Sequence, residues 1–455
     1  MRSTSVLALL FLASALTAPG CAGEPTPPPS TPTPTPEPAR STAPGDPPAK
    51  AGAPAASTAP TAANGDGPAD PGAVNAQGAD QQADVKGANA FTAKLYARMK
   101  RAPGNLMISG TSVRHALALT YLGARGETAR EMATALEMPT DPTKAASLAK
   151  AENAAWEDAH GKAELFVANR LWTEKAFTLK PDFTSAVESA FGAAVEPVEF
   201  VRTPGVARGA INTWVKEKTA GKIADLMPEG SIDKRTRVVV TNAIYFKGKW
   251  SSPFPTGATK EEPFKAATKT APVPMMHETD SHRFAHVGAV KVVEMRYDAS
   301  ELAMLIVLPD DAAGFAKLED SVSAEVFESW TKAIVMQRVT ITLPKFAFKW
   351  GGPLGAPLQE LGIRSAFSPK ADLSGIADAP PGEHLQISQV MHRTWVAVDE
   401  LGTEAAASTG LTMSTTSMAL GPIAELKADH PFLFFVYDDK RGRILFAGRV
   451  SDPKS

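Results

Sequence analysis

After residue 84 the apolar positions fall into two periods; before it they form only a single run near the start. Leu106 to Leu136 carries apolar residues such as Leu117, Tyr121 and Leu122 near helical spacing, which predicts a helix. Val238-Val239-Val240 and Ala303-Met304-Leu305-Ile306-Val307-Leu308 are short apolar runs ended by turn residues, the pattern of buried strands. Leu433 to Tyr437 and Arg443 to Ala447 flank the polar stretch Asp438-Asp439-Lys440-Arg441-Gly442, which predicts a hairpin. Strands mixed with helices in no regular alternation point to an α+β domain.

One stretch reads two ways. Ala405, Ala406 and Ala407 beside Glu404 favour helix by propensity alone. Taking every second residue instead gives Thr403, Ala405, Ala407, Thr409, Leu411 and Met413, small and then apolar. The interleaved set is Glu404, Ala406, Ser408, Gly410, Thr412 and Ser414, polar or small. That is a period of two, so the segment is written to lie in a sheet with one side on a core.

Composition divides the chain further. Of 38 prolines, 15 lie between Pro25 and Pro71. Arg2 and the apolar run Val6–Ala13 fit a secretory signal, too short for a permanent span. Cys21, the sole cysteine, stands where signals are cut, and Ala18-Pro19-Gly20-Cys21 resembles a bacterial lipobox. Pro19 departs from the usual lipobox pattern, and a plain signal with an incidental cysteine is the alternative. Residues 22–83, rich in Pro, Ala, Thr, Ser and Gly, cannot bury enough surface to offset their ordering entropy, so a disordered linker is expected. The domains are then 1–21, 22–83 and 84–455. The chain is expected to be exported, either as a cell-envelope lipoprotein or secreted. Net charge is −2, which gives no electrostatic case for nucleic acid. A membrane is expected to be met only through a lipid on Cys21.

Enzymatic motifs fail on spacing. No Gly-x-Ser-x-Gly elbow and no phosphate-binding glycine loop is present. His277 and His282 are five apart, so on a helix they would not share a face as zinc ligands must, and a surface turn is expected there. With Cys21 alone near the start, thiol catalysis is excluded. No cofactor, no metal and no catalytic activity is expected.

Several segments resemble the serpin family, in order along the domain. They are Asn105–Ser109 through Tyr121–Thr128, Asn242-Ala243-Ile244-Tyr245-Phe246-Lys247-Gly248-Lys249-Trp250, Leu343-Pro344-Lys345, and Asp429–Phe434 to Gly448-Arg449-Val450. Gly110 stands where that family usually has proline. The resemblance implies the serpin fold: a large central mixed β-sheet, further sheets, about eight to nine helices and an exposed reactive-centre loop. It implies a serine protease inhibitor that acts as a suicide substrate, with its loop inserting into the central sheet after cleavage. A non-inhibitory binding or structural protein of the same fold is the alternative. A monomer is expected.

By motif, the hinge of the loop falls on Glu400, Gly402, Thr403, Glu404, Ala405, Ala406, Ala407, Ser408 and Thr409. His392 matches the family's shutter histidine, with Asn242, Ser109 and Ser112 as polar neighbours. Glu400 and Lys345 match the pair where insertion begins, near Trp250. Small uncharged residues at Thr403, Ala405, Ala407 and Thr409 leave the inward face unobstructed, which favours inhibition. Counting from Glu400 places the scissile bond at Thr416–Ser417. Counting back from Pro431 places it near Leu420–Gly421, and Met418–Ala419 lies between. No Arg or Lys occurs from Leu401 to Leu426, so chymotrypsin-, elastase- or subtilisin-like targets are expected over trypsin-like ones.

Overall fold

The computed structural model describes residues 71–192, 195–403 and 422–455. Cys21, the signal and most of the expected linker lie outside the described residues, as do the hinge positions Glu404–Thr409 and every candidate bond from Thr416 to Gly421.

Helix α1 (Pro71–Met99) comes first, then β1 (Leu106–Ile108), α2 (Gly110–Gly123), α3 (Gly126–Ala135) and α4 (Pro142–His160). Next come β2 (Glu164–Glu174), β3 (Thr178–Leu179), α5 (Pro181–Phe191), β4 (Val195–Val198), α6 (Pro204–Lys218) and β5 (Val238–Lys249). An antiparallel run follows: β6 (Lys260–Lys265), β7 (Thr270–Val287), β8 (Val290–Arg296) and β9 (Leu302–Pro309). Helices α7 (Phe315–Asp320) and α8 (Ala324–Ala333) lead to β10 (Val335–Pro344), β11 (Phe346–Pro353) and α9 (Gly355–Glu360). The chain continues through β12 (Ala377–Asp378), β13 (Ile387–Asp399) and β14 (Gly402–Thr403), and resumes with β15 (Ala424–Lys427), β16 (Phe432–Asp438) and β17 (Arg443–Val450). The fold is α+β, as the mixed pattern predicts.

Two boundaries differ from expectation. The stretch Leu106–Leu136 is a strand and two helices. Leu106, Met107 and Ile108 are three consecutive buried residues paired with β17, and the Ser109 side chain then caps α2 by accepting from the Ser112 N–H at 3.2 Å. The helices part at Ala124–Arg125, before Gly126 at φ +52°. At the other end, α1 begins at Pro71, ahead of residue 84. Its Ala and Gln content supports helix without producing an apolar stripe for periodicity to detect.

Among the described residues six strands form the central sheet in the order β11-β13-β14-β5-β2-β4, with β13 also paired directly to β5. Helix α6 packs Ala207, Ile211 and Val215 on one face against Trp172, Val239 and Ala243. Helix α2 lies on the other face, buried along its whole length, beside Leu171, Val240 and Val390. A sheet covered on both faces explains why β5 opens on the continuous run Val238–Val240. A Cβ at Gly110 would stand 2.5 Å from the Thr92 Cα, so a glycine there lets α1 lie close to the start of α2. The remaining large sheet runs β1-β17-β16-β9-β8-β7-β10-β15, with β6 on β7, and it contains the predicted hairpin as β16–β17.

Buried charges tie α1, α2, α4 and β17 together. Asp84 accepts from Arg114 at 2.6 Å and from Arg443 at 2.9 Å, and Arg443 also pairs with Glu152. All four side chains are buried. Burial disfavours charge on Arg443, yet Glu152 and Asp84 outweigh it and hold its pKa above the usual value.

Candidate functional site

Strands β5 and β13 run side by side and parallel, from Val238 opposite Ile387 to Tyr245 opposite Trp395. Past that point they part, and β14 enters between them, antiparallel to both. Thr403 faces Val398 on one side and Gly248 on the other; Gly402 faces Asp399 and Lys249. The site is therefore a seam, closed over most of its length and wedged open at one end.

Local chemistry sets the wedge. Asp399 Oδ1 accepts from the N–H groups of Leu401 (2.9 Å) and Gly402 (3.2 Å), an Asx-type turn that reverses the chain out of β13. A Cβ at Gly402 would stand 2.1 Å from the Gly248 carbonyl oxygen, so only glycine passes this close to β5. Thr403 is buried, and its hydroxyl lies 2.8 Å from the Tyr297 hydroxyl. Tyr297 stacks on Trp250, whose indole N–H donates to the Asp399 carbonyl at 3.1 Å. Lys345 donates to Glu400 at 2.7 Å, and the Thr259 hydroxyl donates to the other carboxylate oxygen at 2.7 Å. Burial would raise the Glu400 pKa, but these two donors hold it below the usual carboxylate range.

The closed part of the seam is fastened by neutral polar groups. His392 and Asn242 are register partners across it, and their side chains are hydrogen-bonded, the ring Nδ1 facing Asn242 Oδ1. The Ser109 N–H donates to His392 Nε2 at 3.2 Å, which leaves the ring's single proton on Nδ1. Asn242 donates to Ser112 Oγ at 2.6 Å and also to the Asn169 side-chain oxygen. Burial pushes His392 down to about 3, so it is uncharged at neutral pH. Where the parallel pairing ends, Tyr245 and Trp395 meet edge to face at 5.4 Å, and Lys222 sits 4.7 Å from the centre of the Trp395 ring.

Ser109, Ser112, Asn242 and His392 thus lie together, and Trp250, Lys345, Glu400, Gly402 and Thr403 lie together at the wedge. Asn169, Tyr297 and Thr259 belong with them but stand far off in sequence, in strands or loops whose own pattern does not distinguish them. The segment His277–His282 is not a surface turn. It lies within β7, where residues of like parity share a face, so Glu278 and His282 pair at 3.0 Å. His277 instead meets Glu262 at 2.8 Å. Among the described residues no three His, Cys, Asp or Glu side chains are placed to hold a metal.

The family model described as Serpin (serine protease inhibitor) matches residues 86–453. The chain belongs to the serpin family. Its curated serpin relatives include the leukocyte elastase inhibitor of Bos taurus, 40% identical over 359 residues, covering 77% of this chain and 93% of that one. Serpin B9 of Homo sapiens is 37% identical with the same coverage. Among solved serpin structures, Serpin48 of the insect Tenebrio molitor superposes with a TM-score of 0.73 at 30% identity, over 82% of this chain and 98% of that one. The nine helices and mixed central sheet of the described residues are the serpin fold.

Proposed function

We propose that this serpin is a single-use inhibitor of serine proteases that traps its target covalently by inserting its loop into the β5–β13 seam. The observation that carries the reading is β14, two residues already bonded to both strands where the seam begins to part.

Carried onward, the β14 register sets Ala405 against Val396 and Phe246, and Ala407 against Thr394 and Ile244. Thr409 comes opposite His392 and Asn242, where its hydroxyl can replace the hydrogen bond that insertion breaks. On β5 the slot ends at Val238, opposite Met413. Ser414 and Thr415 then carry Thr416 clear of the sheet. Slot length therefore favours cleavage at Thr416–Ser417, ahead of Met418–Ala419 and Leu420–Gly421. No inward position on this path carries a charge or a proline. A new strand adds ladder bonds on both sides, and cleavage supplies the free end that lets it run in.

The relatives named leukocyte elastase inhibitor support an elastase-like target, and the loop's apolar and small residues also suit chymotrypsin- or subtilisin-like enzymes. We further propose a monomer, exported by its N-terminal signal and tethered through a lipid on Cys21. Metabolic labelling with a fatty acid, lost in Cys21→Ser, tests the anchor. For inhibition, the protein is mixed with elastase, chymotrypsin and subtilisin. The expected product is an SDS-resistant complex of summed mass, with a released peptide beginning at Ser417 by mass spectrometry. Cleavage by every protease without complex would leave the non-inhibitory reading.

A further inference from the structure

Among the described residues five large apolar side chains stand exposed, and three of them share one corner: Val335 (62%), Met336 (65%) and Ile423 (52%). Val335 and Met336 open β10, and Ile423 directly precedes β15. Because Ala424 pairs in parallel with Val339, Ile423 lies beside Arg338. From Val335 to Arg338, β10 is bonded to β7 on one side, while β15 begins only at Val339. The outer edge of these four residues is unpaired among the described strands. Arg338 is exposed and has no ion-pair partner among the described residues. Beside Met336 a cleft of about 80 Å³ is walled by Trp250, Ser252, His282 and Arg283. Met336, Arg338 and Ile423 share one face of this open strand edge, with the cleft beside Met336, while Val335 turns to the other face. Exposed apolar side chains at such an edge, next to a cation with no ion-pair partner among the described residues, contribute little to the fold and mark a contact surface.

We propose that this corner is an exosite for the protease being inhibited. It takes an apolar side chain, flanked by a carboxylate that meets Arg338, from a surface loop of the protease outside its catalytic cleft. The proposal rests on the inhibitory reading above. Position argues for this occupant. Ile423 is seven residues beyond Thr416, at most about 25 Å of extended chain, while a protease domain of roughly 230 residues has a radius of gyration of about 17 Å. A protease seated on a bond from Met418 to Gly421, at most about 18 Å of chain from Ile423, therefore lies within reach of the corner.

The test compares the wild-type chain with a Val335→Asp, Met336→Asp double variant and with Arg338→Glu. The second-order rate constant for complex formation is measured with elastase, chymotrypsin and subtilisin. With at least one enzyme the rate should fall about tenfold in the double variant, and Arg338→Glu should lower it too. Thermal midpoint and inhibition stoichiometry should stay unchanged, since the substituted side chains are exposed. Equal rates for wild type and both variants with all three enzymes overturn the exosite while leaving the inhibitory reading intact. A wild-type chain that forms no complex at all overturns both. A wild-type dimer in light scattering that the double variant converts to monomer assigns the corner to a second copy, and overturns the exosite as well.

Discussion

At the seam, His392, Asn242, Asn169, Ser109 and Ser112 are buried or half-buried and all uncharged. Between α1, α2, α4 and β17, the equally buried Asp84, Arg114, Glu152 and Arg443 form ion pairs. The difference matches what the proposed mechanism asks of each region. A buried ion pair is strongly destabilising to separate, because either partner alone is an uncompensated charge, which suits a junction that stays put. Neutral hydrogen bonds are worth about 1 kcal/mol net and can be exchanged for others of the same kind. That suits a junction that, in the proposed mechanism, parts and closes again around a new strand.

The largest effect should come from putting charge where the seam excludes it. Ala407→Arg places a guanidinium on the inward face of the proposed inserting strand, at a cost of about 5 kcal/mol or more by the penalty for an unpaired buried charge. The expected outcome is rapid cleavage with no SDS-resistant complex; an undiminished complex would show that residue 407 does not enter the sheet. Removing charge from the ionic cluster comes next. Arg443→Met leaves Glu152 without its arginine and Asp84 with Arg114 alone, and should lower unfolding free energy by about 3–5 kcal/mol in urea titrations, without changing inhibition stoichiometry.

His392→Ala should cost less, about 1–3 kcal/mol, by leaving the Ser109 N–H and Asn242 without their partner. Its sharper readout is the pH profile. The His392 pKa is depressed to about 3 from an unfolded value near 6.5, so the unfolded chain binds the proton first as pH falls. The wild type should therefore lose stability between pH 6.5 and 3, by up to about 1.4 kcal/mol per unit, and His392→Gln should lack that component. Parallel pH profiles for the two proteins would contradict a buried neutral histidine. The smallest effect belongs to the wedge: Lys345 is 37% exposed, so Lys345→Met should shift stability by about 1 kcal/mol or less. Because the Glu400 pKa is lowered, that contribution should be present above the unfolded carboxylate pKa and fade as pH falls through the folded one.

Much of this was legible in the chain before any coordinates. The apolar runs at Val238 and Ala303 are strands and the 433–447 pattern is a hairpin, while the alternation read from Thr403 onward lies, past its first residue, outside the described residues. Leu106–Ile108 was not, because three apolar residues in a row fit strand and helix alike, and only pairing with β17 decides between them. Tyr297 and Asn169 were invisible for a different reason. Each serves the site through one hydroxyl or amide delivered from a remote strand or turn, and nothing in its own neighbourhood marks it. The segment 277–282 shows the same limit: alternation brings Glu278 and His282 to one face of β7, where spacing alone suggested a turn.

Strand β14 has a consequence for how the loop tolerates change. In the proposed insertion its two residues work like the start of a reading frame, because they set the phase in which every later residue would meet the seam. Substituting one small residue for another between Thr403 and Thr409 keeps the phase and alters little. Deleting Ala405, for example, would exchange the two faces for every residue beyond it, turning Ala406 and Ser408 inward and Ala407 and Thr409 outward. Selection on this segment should therefore act on its length more strictly than on its letters.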